Sequence, residues 1–104
     1  MIATGGIKVA AEEIEAVLIQ NPDIADVTVV GGADHKWGER IVAFAVVRDA
    51  RISPEDLDRW CREDGRLAGF KRPKEWHLVD ELPQNSVGKK DRRATKLMSN
   101  SQAF

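Results

Sequence analysis

The run IVAFAVV at positions 41–47 decides the fold, because seven consecutive apolar residues predict a strand that is covered on both faces. The β-branched stretch IADVTVV at positions 24–30 predicts a neighbouring strand. We expect the two strands to pair antiparallel across a loop at 31–39. Apolar alternation over 76–79 predicts a third strand, in which Trp76 and Leu78 share a face.

Three helices are predicted around this sheet. The first spans 12–20, and the second begins at Ser53 with a proline and two acidic residues in its first turn. The third spans 91–98. The inward residues expected on the three helices are Ile14, Val17 and Leu18, then Leu57, Trp60 and Cys61, then Ala94, Leu97 and Met98. The pattern predicts an α+β domain, a small three-stranded sheet covered by helices.

Length and composition narrow the class of protein. A chain of 104 residues with 42% hydrophobic and 32% charged residues has room for one globular domain with one modest core. Its longest apolar run, 41–47, is too short to cross a bilayer, and the first residues lack the pattern of a signal peptide. The single cysteine, Cys61, fits a reducing cytoplasm, and no Cys/His cluster predicts a metal site.

Charge is distributed unevenly along the chain, although the net charge is −1. Residues 1–70 hold 8 basic and 13 acidic residues, whereas residues 71–104 hold 8 basic and 4 acidic residues. The basic last third is either a solvated face or a surface for a phosphate-bearing ligand. A nucleic-acid binder is the weaker interpretation, because the rest of the chain is acidic and lacks a nucleic-acid motif.

Four short segments are candidates for chemistry. The pair Gly5-Gly6 allows a close backbone approach to a ligand, or is only a turn. Trp37 either caps the sheet edge or offers its ring to a base. The segment FKRPK at 70–74 combines an aromatic ring with cations, as a pocket for a base and a phosphate would, or is ordinary surface. Gly88-Lys89 presents an ammonium group on a loop, where it suits a phosphate or carboxylate oxygen.

Taken together, these segments resemble the C-terminal lid domain of the AMP-forming acyl-CoA synthetase and adenylate-forming ligase superfamily. The matching motifs, in the family's order, are Gly5-Gly6 with EEIE at 12–15, Gly31 with Asp34 and WGE at 37–39, FKRP at 70–73, and Leu82-Pro83 with Gly88-Lys89 and Arg92-Arg93. They cover nearly the whole chain. Trp37 and the segment 70–74 are especially similar to aryl-CoA ligases of the 4-chlorobenzoate type.

The resemblance implies a two-step reaction in the full-length enzyme, an acid-thiol ligase. A carboxylate attacks the α-phosphate of ATP to give an acyl-adenylate and pyrophosphate, and the thiol of coenzyme A then displaces AMP to give the thioester. In the family, the C-terminal domain rotates on a larger N-terminal domain between these steps. ATP and CoA are therefore expected as substrates, with Mg²⁺ in the full-length enzyme and not on this domain.

The resemblance also assigns roles to individual residues. Lys89 matches the family's catalytic lysine, which bridges the carboxylate and the α-phosphate during adenylation, and it is a candidate for reversible acetylation, as in some relatives. The other matches concern CoA. They are Gly5 and Gly6 on the pantetheine tunnel, Trp37 and Phe70 against the adenine, and Arg72 and Lys74 near the 3′-phosphate.

Several positions depart from the family pattern. Ile7-Lys8 replaces the usual Glu-Asn, Ala10-Ala11 replaces an aromatic residue and proline, Val87 replaces Ser or Thr, and Lys90 replaces an aliphatic residue. The family's ATP loop and acyl pocket are expected upstream, so residues 1–104 are interpreted as the lid alone and as inactive in isolation. The alternative is a stand-alone CoA- or nucleotide-binding module without catalysis.

Overall fold

The computed structural model describes residues 2–36, 38–63, 67, 69, 71–84, 86, 88 and 90–101. Within these residues it contains five strands and three helices. In chain order they are β1 (Ile2–Thr4), β2 (Ile7–Val9), α1 (Ala11–Leu18), β3 (Ile24–Asp34), β4 (Gly38–Val47), α2 (Pro54–Arg62), β5 (Glu75–Leu78) and α3 (Arg92–Ser101).

The long β3–β4 hairpin contains the central strand, β4, and the edge strand, β3. The two strands pair antiparallel from Ile24 opposite Val47 to Asp34 opposite Gly38, which confirms the predicted pairing. The predicted loop at 31–39 is wrong in extent, because the hydrogen-bonded ladder runs on through Gly31 and leaves only a short turn. Pairing between the strands therefore outweighs the local turn tendency of the glycines.

The sheet has five strands, two more than the sequence predicted, and the predicted α+β class is confirmed. The three expected strands are β3, β4 and β5. The additional β1 and β2 form a short antiparallel hairpin, and β1 meets the start of β4 where Thr4 lies opposite Gly38. Strand β5 follows the α2 crossover and runs parallel to β4, with Ala43 opposite Trp76. Three-residue strands are too short to show a period in the sequence.

Strand β4 is buried on both faces, as its unbroken apolar run predicted. Successive side chains of a strand point to opposite faces. One apolar cluster accordingly contains Ile41 and Ala43 together with the inward residues of α1 and α2, and the other contains Val42 and Phe44 together with Leu82 and Met98. The sheet is therefore a layer between α1 and α2 on one side and α3 with the preceding segment on the other.

Helices α1 and α2 begin and bury their faces much as predicted. In α2, Ser53 Oγ accepts from the Asp56 amide at 3.2 Å and the Asp56 carboxylate accepts from the Ser53 amide at 3.0 Å, a complete capping box. The buried stripes include Ile14 and Leu18 on α1 and Leu57 and Cys61 on α2.

The inward face of α3 differs from the prediction. Leu97 was expected to be buried, but it is 60% exposed, whereas Thr95 is fully buried. The Thr95 hydroxyl donates to the Asp91 carbonyl at 2.9 Å, so its polar atom is satisfied within the helix and can face the core. Met98 does pack against the second apolar cluster, so the predicted inward face is confirmed at Met98, wrong at Leu97 and lacks Thr95.

Candidate functional site

The glycine pair forms the turn of the β1–β2 hairpin. Thr4 lies opposite Ile7, so Gly5 and Gly6 are the two loop residues of a two-residue connection. Their φ angles are 59° and 82°, and a type I′ turn requires positive φ at both positions, where a Cβ atom would be strained. Both glycines are exposed at the tip, and the residue after them, Ile7, is 45% exposed. The turn interpretation is confirmed, and the tip remains free to approach a ligand.

The segment 71–74 is tied to three elements of the fold. Lys71 Nζ lies 3.0 Å from a carboxylate oxygen of Glu13 on α1, and Arg72 Nε lies 3.0 Å from Asp58 Oδ1 on α2. The Lys74 amide donates to the Ile41 carbonyl on β4 at 2.9 Å. The segment is thus positioned by its backbone and by ion pairs, while the Arg72 side chain keeps about a third of its surface exposed, at 31%.

A cleft of about 500 Å³ opens between α2 and the start of β5, beside this segment. Lys74 lines it, and so does Asp58, so Arg72 is connected to the cleft through its ion pair with Asp58. The sequence interpretation missed two further cations on this cleft, Arg59 and Arg62 of α2. Their spacing of three residues on one helix face was the available signal.

The stem of the loop that contains Lys89 is closed by backbone contacts. Gln84 and Lys90 form an isolated antiparallel bridge, and the Asp91 amide donates to the Pro83 carbonyl at 3.0 Å. Between them, Gly88 is exposed with a φ of 80°, a left-handed conformation that favours glycine. The stem leads directly into α3, whose first turn Asp91 caps by accepting from the Ala94 amide at 3.0 Å.

The buried carboxylate of Glu15, on α1, contacts the C-terminal end of this stem. Glu15 has 7% of its surface exposed, and its Oε2 accepts from the Val29 amide of β3 at 2.7 Å. Its other oxygen pairs with the Arg92 guanidinium and lies 3.6 Å from Lys90 Nζ. The sequence interpretation quoted Glu15 only as part of a motif and assigned it no contact. Glu15 lies about half a turn from outward-facing Glu13 and three residues before buried Leu18, and this spacing was the available signal of its burial.

Glu39 joins the N-terminal hairpin to α3. Its carboxylate accepts from the Ala3 amide at 3.0 Å and lies 3.1 Å from Lys96 Nζ. The hydrogen bond from Ala3 and the charge of Lys96 together lower the pKa of Glu39 below 4.5, against a smaller opposing effect of burial. A Cβ atom on Gly31 would lie 2.4 Å from this carboxylate, so a larger residue there would displace the Glu39 side chain.

A second carboxylate, Glu75, links β4 and β5 beside the segment 71–74. Burial acts to raise its pKa, but hydrogen bonds from His77 at 2.5 Å and from Arg40 at 3.0 Å outweigh it, so the pKa lies below 4.5. The His77 ring also stacks on Phe44, with centroids 4.7 Å apart. These contacts give the first residues of β5 a fixed orientation, and the segment 71–74 leads into them.

Three predicted site residues, Trp37, Phe70 and Lys89, lie outside the described residues. Among those described, Gly5 and Gly6 share one hairpin tip, Lys74 lines the cleft beside α2, and Arg72 pairs with Asp58 of that cleft. Over the same residues, no group of three or more His, Cys, Asp or Glu side chains is arranged to hold a metal ion. In the described part of the chain, no helix combines the length and apolar character needed to cross a membrane.

The sheet and its three helices place the chain in the class of small α+β domains. Comparison with known families is more specific, since the family described as AMP-binding enzyme C-terminal domain matches residues 13–89. The chain therefore belongs to this family, as its sequence motifs indicated.

Individual relatives agree with this assignment. The chain is 41% identical over 95 residues to the mitochondrial malonate–CoA ligase of Homo sapiens, covering 90% of this chain and 16% of that protein. It is 40% identical over 94 residues to 4-chlorobenzoate–CoA ligase of a Pseudomonas strain, covering 89% of this chain and 18% of that protein. A solved fatty acyl-CoA synthetase of Mycobacterium tuberculosis superposes with a TM-score of 0.88 at 33% identity, covering 97% of this chain and 20% of that one. The chain thus spans about a fifth or less of these relatives.

Proposed function

We propose that this chain is the mobile C-terminal domain of an ATP-dependent, AMP-forming acyl- or aryl-CoA ligase. The observation that carries the proposal is the family match over residues 13–89, together with about 40% identity to enzymes named as CoA ligases of malonate and of an aromatic acid. On this proposal, the chain's partner is the N-terminal adenylation domain, and the substrates of the whole enzyme are ATP, a carboxylic acid and CoA.

Lys89 is proposed as the group that acts in adenylation. Its ammonium would lie between the attacking carboxylate and the α-phosphate, two anions that repel each other, and would offset charge that grows on the phosphoryl oxygens. The closed stem supports this role, because the Gln84–Lys90 bridge restricts the backbone on the residue's C-terminal side. Mg²⁺ would enter with ATP and be held by the rest of the intact enzyme.

The CoA half of the proposal involves two separate regions. Gly5 and Gly6 would line the pantetheine tunnel, where their exposed turn allows close backbone approach. Arg72 and Lys74 would face the 3′-phosphate, and the position of Lys74 and of the Arg72 partner Asp58 on one cleft supports a common ligand. Trp37 and Phe70 are proposed for the adenine by resemblance to aryl-CoA ligases. A cytoplasmic location is part of the proposal, and fractionation of source cells would test it.

Substitution of Lys89 tests the adenylation role in the full-length ligase. Lys89→Ala should lower the acid-dependent exchange of pyrophosphate into ATP by about 100- to 1,000-fold, the usual cost of losing one group that stabilises charge in a transition state. Transfer from a preformed acyl-adenylate to CoA should stay within about threefold of the parent enzyme, because Lys89 acts before that step.

Lys96→Ala is the matched control, since it also removes a lysine ammonium, but one that pairs with Glu39 of the same domain and has no proposed role in the reaction. It should change neither half-reaction by more than about twofold. An equal loss of both half-reactions in Lys89→Ala would contradict the proposal. So would measurable pyrophosphate exchange by the 104-residue chain alone, which should have none.

Substitution of Arg72 and Lys74 tests the CoA role separately. The double change to alanine should raise the KM for CoA by about tenfold in the thioester step while leaving that for dephospho-CoA nearly unchanged. Arg51→Ala is the control, because Arg51 is a highly exposed cation paired with Asp49 at a remote turn. Equal weakening of both thiols would show that the two cations do not read the 3′-phosphate.

A further inference from the structure

Glu15 is a buried carboxylate, and burial of a charged group is unfavourable for folding. It lies on the inner side of α1, and its side chain has 8% of its surface exposed. Burial of an ionised group is tolerated only when hydrogen bonds and opposite charges surround it. The reason for its presence should therefore lie in its contacts.

Those contacts join three parts of the chain that are distant in sequence. Oε2 accepts from the Val29 amide at 2.7 Å, which fixes the carboxylate against β3. Oε1 pairs with Arg92, the first residue of α3, and lies 3.6 Å from Lys90 Nζ. The Glu15 carboxylate thus connects α1 and β3 to Lys90 and Arg92, which follow Lys89 in the chain.

Two more exposed carboxylates also lie near these cations. Glu12 lies 3.5 Å from the Arg92 guanidinium, and Asp26 lies 3.7 Å from Lys90 Nζ. Both are more exposed than Glu15, at 72% and 40% of their side chains, so their pairs are screened by solvent. Only Glu15 combines burial, a backbone hydrogen bond and contact with both cations.

We propose that Glu15 is a positioning residue for the adenylation lysine, acting through Lys90 and Arg92 on the backbone that carries Lys89. This inference rests on the proposed function. Lys89 is bonded directly to Lys90, so any rotation or shift of Lys90 moves the base of the Lys89 side chain. A misplacement of about 1 Å at a reacting group costs roughly 100-fold in rate, so a rigid anchor for the stem has a direct catalytic effect.

The substitution Glu15→Gln in the full-length ligase tests the proposal. It keeps the shape and a carbonyl oxygen for the Val29 amide, but removes the negative charge that holds Arg92 and Lys90. Pyrophosphate exchange should fall by about 10- to 100-fold, while transfer from a preformed acyl-adenylate to CoA stays within about threefold. The transfer step also reports that the variant is folded, since it uses the same domain.

Glu12→Gln is the matched control. It makes the same chemical change on the same helix and also touches Arg92, but from the exposed side. Both half-reactions should stay within about twofold of the parent enzyme. A loss of adenylation as large as that of Glu15→Gln would overturn the proposal, because burial and the β3 hydrogen bond would then be irrelevant.

A double substitution separates positioning from an independent effect. If Glu15 acts through Lys89, Glu15→Gln should cause less than about a twofold further loss of adenylation in an enzyme that already carries Lys89→Ala. Multiplicative losses would show that Glu15 does not act through the lysine, and would overturn the proposal.

Arg92→Gln provides a second route if Glu15→Gln fails to fold. It breaks the same ion pair from a residue whose side chain is 38% exposed, and the same selective loss of adenylation is expected. Equal loss of both half-reactions would overturn the proposal. Failure of the proposed function would be visible separately, since Lys89→Ala alone would then show no split between the two steps.

Discussion

Two charged regions, the segment 71–74 and the stem of the Lys89 loop, are attached to the same sheet in different ways. Arg72 is held by one ion pair with Asp58, in which both side chains are about 30% exposed. The stem is held by Glu15, which is almost fully buried and touches β3, Lys90 and Arg92 together. The cations of the two attachments are similarly exposed, so the difference lies in the carboxylates, with Asp58 30% exposed and Glu15 only 8%.

This difference matches the two proposed tasks. A region that captures a phosphate from solution needs cations that can leave their resting partners, and half-exposed pairs are weak enough to exchange. A region that places one ammonium between two reacting anions needs a fixed geometry, which a buried, hydrogen-bonded carboxylate provides. On the proposed function, the cations that capture a phosphate and the stem that places Lys89 would thus differ in the burial of the carboxylates that hold them.

The largest expected effect comes from removing the support that both regions share. Phe44 is fully buried in the central strand and stacks on His77 of β5. Phe44→Ala should lower the free energy of unfolding by about 3–5 kcal/mol, because it leaves a cavity in a packed core. Urea unfolding of the purified chain measures this. Phe44→Leu should cost less than half as much, and a loss of less than about 1 kcal/mol for alanine would contradict this account of the core.

The second-largest effect on the free energy of unfolding is expected at the buried carboxylate of Glu15. Glu15→Ala leaves the Val29 amide without its acceptor and Arg92 without its buried partner. The free energy of unfolding should fall by about 2–3 kcal/mol, the usual cost of leaving a buried donor and a charge unpaired, reduced because Arg92 is partly exposed. The same urea titration measures it, and the m-value should not change.

A matched change at Asp58, in the more exposed ion pair with Arg72, should lower the free energy of unfolding less. Asp58→Asn removes the charge that pairs with Arg72 and Arg62, and the free energy of unfolding should fall by less than about 1 kcal/mol. Added salt should reduce this difference further, because exposed pairs are screened. If Asp58→Asn costs as much as Glu15→Ala, the contrast between the two regions is wrong.

The smallest expected effect is a pH dependence at Glu39, where β1 meets α3. The folded-state pKa of Glu39 lies below 4.5, so its contribution to stability is present above pH 4.5 and is lost as pH falls through the lower folded value. Glu39→Gln should therefore be less stable than the parent chain at neutral pH, and the two should converge in acid. Thermal unfolding between pH 7 and 2 measures this.

Lys96→Ala sharpens the same measurement. It removes the charge partner of Glu39 but leaves the hydrogen bond from Ala3, which contributes more to the lowered pKa. The acid-dependent loss of stability should therefore be reduced less by Lys96→Ala than by Glu39→Gln. A loss of this pH dependence in Lys96→Ala as complete as in Glu39→Gln would show that charge, and not the backbone hydrogen bond, sets this pKa.

Local signals predicted strands β3 and β4 and helices α1 and α2 well. The run 41–47 became the doubly covered strand β4, and Ser53 capped α2 as expected. Prediction was poorer where contacts distant in sequence decide the outcome. The β1–β2 hairpin is too short to have a period, and the inward turn of Thr95 depends on a hydrogen bond that no hydrophobic pattern encodes.

Some residues of the candidate site could likewise be recognised from the sequence, and others only from the structure. The glycine turn and the cations of 71–74 were recognisable as residue types in a known order, so family resemblance found them. The sequence interpretation passed over Arg59 and Arg62 of the α2 cleft, because their relation to Lys74 exists only after α2 packs beside β5. Asp58, which holds Arg72, was missed for the same reason.

The sequence by itself determined the family, the apolar core strand and the order of the motifs, because these depend on residue type and spacing along the chain. Only the tertiary structure decided which charges meet, since Glu15 and Arg92 are 77 positions apart and are joined by the packing of α1, β3 and α3. The Glu15 carboxylate of one ion pair is almost fully buried, whereas both side chains of the Arg72–Asp58 pair are partly exposed. That distinction follows from the dielectric around each pair, which no local pattern of residues records.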